Sequence, residues 1–141
     1  INAGIDDFDY KQTILTEAEK YKVTNRVIFT GPVTEEEKVW YYKNCLAFMF
    51  PSFAEGFGLP VIEAMYFGKP VFISNITSLP EVGGDEDYYF NSFNETEMIT
   101  AFKKEMEDYK IFQPQEKIKQ QAAKFSFENA AEAIYYIYES L

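Results

Sequence analysis

Glu55 and Glu63 stand eight positions apart, on either side of a two-glycine turn, in the stretch PSFAEGFGLPVIEAM from Pro51 to Met65. A carboxylate in a turn can bond sugar hydroxyls or stabilise positive charge developing at a sugar carbon. One on the first turns of a helix can hold a ribose diol with both oxygens. Gly56 and Gly58 let the backbone come close to a ligand. A helix beginning near Leu59 or Pro60 then points unpaired amides and the positive end of its dipole back into the turn. Anionic oxygens can sit there without a lysine. Two isolated glutamates would read as solvated surface charges. Glu55 works against a purely anionic ligand, so a glycine turn that carries it points to a ligand with hydroxyls as well as phosphates.

The flanking elements are those of a strand-turn-helix unit. Cys45 to Phe50 is almost wholly apolar, as expected of a strand buried on both faces of a parallel sheet, and Pro51 ends it. Upstream, Ile1 to Ala3 reads as the tail of a strand closed by Gly4. A helix is expected from about Asp7 to Lys22, with Asp6 or Asp7 as its cap, followed by a short strand over Arg26 to Thr30. Thr34 and Glu37 form a capping box that opens a second helix through about Lys43. Downstream come a helix from Leu59 to Phe67, a strand from Val71 to Ser74, a short helix at Ser78 to Val82 and a last strand from Tyr88 to Asn91. The remainder is helical. Met98, Ile99, Phe102 and Met106 make one apolar stripe, and Phe127, Ala130, Ala131, Ile134, Ile137, Tyr138 and Leu141 make a better one. Strands alternating with helices through short connections imply right-handed crossovers and a parallel sheet, with ligands beyond the carboxyl ends of its strands. The turns at Pro51 to Gly58 and at Gly31 to Thr34 both lie on that edge.

Composition narrows the function. With 141 residues, 47% hydrophobic content, eleven Tyr and fourteen Phe, the chain fits one domain with a real core. A net charge of −10 argues against nucleic acid as a partner, since that affinity comes mainly from Lys and Arg on phosphates. A phosphorylated small molecule must therefore be held by local features. The chain has no histidine, the commonest general base and zinc ligand, which excludes Ser-His and metallohydrolase mechanisms. Its single cysteine, Cys45, reads as a small core residue with no disulfide framework, consistent with a reducing compartment. No apolar run approaches the roughly 20 residues that span a bilayer.

From Arg26 to Phe93 the chain resembles the donor-binding C-terminal domain of the retaining GT-B glycosyltransferases called group 1, or family GT4. Three segments carry the likeness, in the family's order and spacing: NRVIFTGPVTEEEKVWYYKNC from Asn25 to Cys45, FPSFAEGFGLPVIEAMYFGKPVFISN from Phe50 to Asn75, and SLPEVGGD from Ser78 to Asp85. The central one contains the family's E-x7-E pattern as Glu55 and Glu63. Such a combination is far more specific than a lone glycine-rich loop.

The resemblance implies an α/β fold, a Rossmann-like parallel sheet flanked by helices, forming the C-terminal half of a GT-B fold. It implies a contact between Glu55 and the donor sugar, which makes Glu55 the candidate catalytic residue, and a contact between Glu63 and the nucleotide ribose. The amides of Gly56, Phe57, Gly58 and Leu59 would receive sugar and phosphate oxygens. Pro32 and Val33 would meet the base, and Lys38 falls where some guanine-nucleotide-using relatives place a base-contacting lysine. An exposed helical lysine paired with Glu35 is the plainer explanation of Lys38.

The donor would be a UDP- or GDP-linked sugar, with a slight preference for GDP-mannose, and no metal or other cofactor is expected. The reaction would be retaining transfer of a hexosyl group to a hydroxyl of a glycan or lipid-linked acceptor, in surface polysaccharide, lipopolysaccharide or glycolipid synthesis. A front-face displacement and a covalent intermediate both remain open. Set against the family, the chain is expected to begin too late to contain the diphosphate-binding Arg and Lys and to lack the N-terminal acceptor domain. The expectation is therefore a single nucleotide-sugar-binding domain over residues 1–141, truncated at its N-terminal edge, inactive alone, and partnered by the missing domain of the same enzyme. The expected location is the cytoplasm, or the inner face of the membrane through that absent domain.

Other features carry less. Asp85-Glu86-Asp87 has the carboxylate spacing of a metal-binding D-x-D motif, but follows Gly83-Gly84 in a loop and reads as a solvated acidic turn. Trp40-Tyr41-Tyr42 could stack a base, though packing against the sheet is the default. Core or interface packing is likewise the default for Tyr135, Tyr136 and Tyr138. Two readings compete: a GT-B-type nucleotide-sugar epimerase, disfavoured by the lack of histidine, and a non-catalytic α/β regulatory module. A receiver module would need an acidic cluster at the first strand end and a phosphoacceptor Asp at a central strand end, and Ala47 to Ser52 offers none.

Overall fold

Parallel strand pairing through helical crossovers organises the chain throughout. The computed structural model describes residues 1–4, 8–85 and 88–140. It comprises two compact units, Ile1–Tyr41 and Tyr42–Leu141.

In the first unit, β1 (Asn2–Ala3) pairs in parallel with β2 (Phe29–Gly31), and α1 (Phe8–Lys20) lies between them in sequence. The cap candidates Asp6 and Asp7 fall outside the described residues. The second strand starts later than the expected Arg26. Arg26 N donates to Val23 O and Val27 N to Thr24 O, so a 3-10 turn over Thr24–Arg26 takes up these amides. Pairing begins only at Ile28, whose carbonyl accepts from Asn2 N at 2.7 Å. The capping box forms as expected. Thr34 N donates to Glu37 Oε2 at 2.8 Å and Glu37 N to Thr34 Oγ1 at 3.2 Å, which opens α2 (Glu35–Asn44).

The second unit holds β3 (Phe48–Phe50), α3 (Leu59–Tyr66), β4 (Val71–Ser74), α4 (Leu79–Gly83) and β5 (Tyr88–Phe90). The strands lie in the order β3-β4-β5, all parallel, with Phe50 opposite Ile73 and Ser74 opposite Phe90. Side chains alternate across a strand, so β4 feeds two cores at once. Val71 and Ile73 join Val61, Ala64 and Met65 of α3, Leu79 and Val82 of α4, and Ile118 of α6 (Gln115–Ala123). Phe72 faces the other way, onto Phe90 and onto Met106 of α5 (Glu95–Phe112). The expected Rossmann-like layering of helices on a parallel sheet is therefore present, and the doubly buried strand is β4.

The strand expected over Cys45 to Phe50 departs from this. Cys45 and Leu46 precede β3, which is an edge of its three-stranded sheet. Leu46 is 70% and Met49 44% exposed, so neither the segment nor β3 is buried on both faces. Cys45 is half-buried rather than a core residue. In the expected α5 stripe Met98, Phe102 and Met106 meet the core, whereas Ile99 is exposed.

The last helix, α7 (Phe127–Glu139), is capped by Ser126, whose hydroxyl accepts from Asn129 N. None of its residues is buried, and Phe127 is 93% exposed. Core packing of Tyr135, Tyr136 and Tyr138 is thus not found. The faces of β4 are already covered by α3, α4 and α6 on one side and α5 on the other. Leu141 lies outside the described residues. Trp40 is exposed as well, while Tyr42 is buried.

Candidate functional site

The carboxyl ends of β3 and β4 fix the site through serine hydroxyls. Ser52 N turns back onto Phe50 O at 2.9 Å immediately after β3. Ser74, fully buried at the end of β4, donates its hydroxyl to Ser52 O. The Ser52 hydroxyl in turn lies 2.9 Å from Glu55 Oε1, with Ala54 O also in reach at 3.1 Å. Ser78, just ahead of α4, donates to Glu55 O at 3.1 Å. Glu55 is therefore held at its carboxylate from one side and at its backbone from another. A buried hydroxyl has to find an acceptor, so the fully buried Ser74 ties the turn to the sheet.

Gly58 occupies the cap position of α3 with φ 95° and ψ 45°, in the left-handed region that favours glycine. No side chain caps this helix end. Pro60, early in the first turn, has no N–H to satisfy. The amides of Gly56, Phe57, Gly58 and Leu59 meet no acceptor among the described residues. Four such amides and the positive end of a helix dipole thus share one short turn, in a stretch without Lys or Arg from Pro51 to Gly68.

Glu63 follows one helical turn later, about 6 Å along the axis from the helix start. It is half-buried, and its Oε2 accepts from the Tyr42 hydroxyl at 3.0 Å. Phe57 meets Phe125 edge-on at 5.8 Å between centroids. At the same sheet edge Asn75 Nδ2 donates to Asn91 Oδ1 at 2.8 Å, joining the residues that follow β4 and β5.

Glu55, Gly56, Phe57, Gly58, Leu59 and Glu63 are thus brought together in the β3–α3 connection and the start of α3. Pro32, Val33 and Lys38 belong to the first unit, in the β2–α2 connection and on α2. Pro32 is exposed and Val33 half-buried; Lys38 Nζ lies 2.8 Å from Glu35 Oε2, the pairing of the plainer explanation, although Lys38 is half-buried rather than exposed. Ser52, Ser74 and Ser78 were not singled out from the sequence. Ser52 could have been, since it sits between the strand-ending Pro51 and Glu55 within the central motif. Asp85 is exposed, and Glu86 and Asp87 lie outside the described residues. Among the described residues no group of three or more His, Cys, Asp or Glu could hold a metal ion, and no helix is long and apolar enough to cross a membrane.

Residues 3–125 match the family model of the glycosyl transferases, group 1. The chain belongs to this family. Among relatives of this group 1 chain is the serotype-specific mannosyltransferase WbdA of Escherichia coli, 40% identical over 122 residues, covering 85% of the chain. Another is the O-antigen chain mannosyltransferase B of Escherichia coli, 53% identical over 57 residues, or 40% of the chain. The chain spans 15% of the length of each of these two proteins. In fold it is similar to a sucrose-phosphate synthase from Thermosynechococcus elongatus, with a TM-score of 0.79 and 24% identity over 98% of this chain and 37% of the other. The fold is accordingly the expected Rossmann-like part of a GT-B glycosyltransferase.

Proposed function

We propose that the β3–α3 connection binds a nucleoside diphosphate sugar and supplies the donor side of a retaining hexosyl transfer. One observation carries this reading: Glu55 and Glu63, each oriented by its own hydrogen bond, flank a helix start without a side-chain cap, where four amides meet no acceptor among the described residues. Phosphate oxygens suit the amides, a ribose diol suits Glu63, and the sugar suits Glu55. The mannosyltransferase names of the Escherichia coli relatives favour a mannosyl donor, linked to GDP or UDP, and synthesis of a surface polysaccharide.

In this reading the bond from the anomeric carbon to the diphosphate oxygen breaks, and its electron pair leaves with the diphosphate. A new bond forms to the acceptor hydroxyl, whose proton passes to the departing phosphate or to solvent. The helix start at Gly58 to Val61 stabilises the negative charge gathering on the diphosphate. Glu55 stabilises the positive charge gathering on the sugar ring. Both act more strongly as the charges develop than in the bound donor, which is what lowers a barrier.

Titration of the protein with UDP, GDP and ADP tests the reading. Saturable binding of one diphosphate is expected, weakened at least about tenfold by Glu63→Ala. Absence of saturable binding for all three at millimolar concentration, or binding indifferent to Glu63→Ala, would overturn it.

A further inference from the structure

The buried phenol of Tyr42 spends its hydroxyl on the carboxylate of Glu63, a group 21 residues away in sequence. Tyr42 is only 8% exposed, and its ring is clamped by two others. Phe48 of β3 meets it edge-on at 5.4 Å, and Phe67, just past α3, stacks at 6.3 Å. The clamp leaves the ring little freedom, and the ring fixes where the hydroxyl points. A buried tyrosine needs a polar partner, and here that partner is a site carboxylate on the neighbouring helix. An O–H donor to an ionised acceptor is among the stronger hydrogen bonds. A glutamate has three side-chain torsions, so an anchor at one oxygen removes most of its rotamer freedom before any ligand arrives.

We propose that Tyr42 is the positioning residue for Glu63, holding its carboxylate in the orientation that accepts both hydroxyls of a ribose. The inference rests on the ribose role given to Glu63 above. It assigns to Tyr42 a share of the selection for ribonucleotides over nucleotides lacking the diol, exercised without contact between Tyr42 and the ligand. A residue that only packs would contribute to stability and would leave that selection untouched.

The experiment compares binding of guanosine, uridine and adenosine 5′-diphosphates with that of their 2′,3′-dideoxy counterparts. It uses the unaltered protein, Tyr42→Phe, Glu63→Gln, Glu63→Ala and the Tyr42→Phe/Glu63→Gln pair. The unaltered protein should prefer the ribose form, and Glu63→Ala should erase the preference. Tyr42→Phe, which keeps the clamped ring, should reduce the preference roughly three- to tenfold and leave dideoxynucleotide binding unchanged. In the Glu63→Gln background, Tyr42→Phe should then have a smaller effect than in the unaltered protein, the signature of a coupled pair. If Glu63→Ala erases the preference while Tyr42→Phe keeps it, the inference about Tyr42 is overturned and the ribose reading stands. If Glu63→Ala keeps the preference, both fall. Equal weakening of both nucleotide forms by Tyr42→Phe would mark general loosening and also overturn the inference.

Discussion

Gly58 and Leu79 approach so closely that a Cβ on the glycine would stand 2.9 Å from Leu79 Cδ2. The start of α4 therefore rests on the turn from which α3 begins, and a side chain on residue 58 would require Leu79 to shift. The left-handed φ of 95° makes the same demand independently.

Gly58→Ala should accordingly destabilise the protein by about 1–3 kcal/mol from backbone strain alone, and by more if Leu79 has to move. Urea unfolding measures the loss. The variant should also bind a nucleoside diphosphate more weakly, since the amides beside Gly58 shift with the turn. A variant of unchanged stability would mean that the turn relaxes freely and that its tight geometry is not what presents the amides.

The serine relay separates stability from binding. Ser74→Ala removes a fully buried hydroxyl and leaves the part-buried carbonyl of Ser52 without that donor, which should cost about 1–3 kcal/mol in urea unfolding. Ser52→Ala removes the hydroxyl beside Glu55 Oε1 in a half-exposed turn. It should change stability by less than about 1 kcal/mol while weakening binding of the nucleotide sugar relative to the nucleoside diphosphate alone. Calorimetric titration with both ligands checks this. Equal weakening of the two would place Ser52 with the proposed phosphate contacts of the turn instead of with the sugar.

Alkaline pH should loosen the second unit. Burial is the main cause pushing the Cys45 thiol above its ordinary range, opposed by the nearby positive charge of Lys69. Burial likewise raises the phenol of Tyr109, which donates to Gly68 O at 2.8 Å. Both groups hold their protons more tightly folded than unfolded. The stability they contribute is complete below the unfolded-state values and is lost as pH rises through and beyond them. The urea midpoint should therefore fall above about pH 9, and a Cys45→Ala/Tyr109→Phe double variant should show a shallower decline. An identical slope in that variant would remove both groups from the account.

The parts of the structure that were legible in the sequence are those carried by local chemistry. Thr34 and Glu37 announce a helix start because a capping box needs only four consecutive residues. The two-glycine turn, Pro60 and the apolar run Val71 to Ile73 locate α3 and β4 for the same reason. Where β2 begins was not legible, because the pairing of Asn2 with Ile28 and the 3-10 turn at Thr24–Arg26 compete for the same short segment. The carboxylates of the site were visible, whereas the groups that orient them were not. Ser52, Ser74 and Ser78 converge from three segments, and Tyr42 reaches Glu63 across 21 residues. A single hydroxyl leaves no periodic trace. The stripe on α7 was plain in the sequence, yet amphipathicity states that a face is apolar and is silent on what covers it.

Helix α7 supplies a prediction of its own. A helix of 13 residues with none of them buried has only local bonds to stabilise it, the Ser126 cap, Asn129 Nδ2 on Ala123 O and Lys124 O, and exposed Tyr–Glu pairs. Its amides should exchange with solvent faster than those of α3, whose Val61, Ala64 and Met65 are fully buried. Hydrogen exchange resolved along the chain reads this directly. Protection of α7 equal to that of α3 would show that its apolar face is covered in solution.

The most direct test of the donor site is a heteronuclear NMR titration of the amide resonances with GDP and UDP. One of them should shift the amides of Gly56, Phe57, Gly58 and Leu59 most strongly, with Glu63 following and with saturation. Shifts centred instead on the groove between α3 and α6, lined by Tyr66, Phe67, Lys119, Gln120 and Ala123, would contradict it, as would no shift at the turn with either nucleotide.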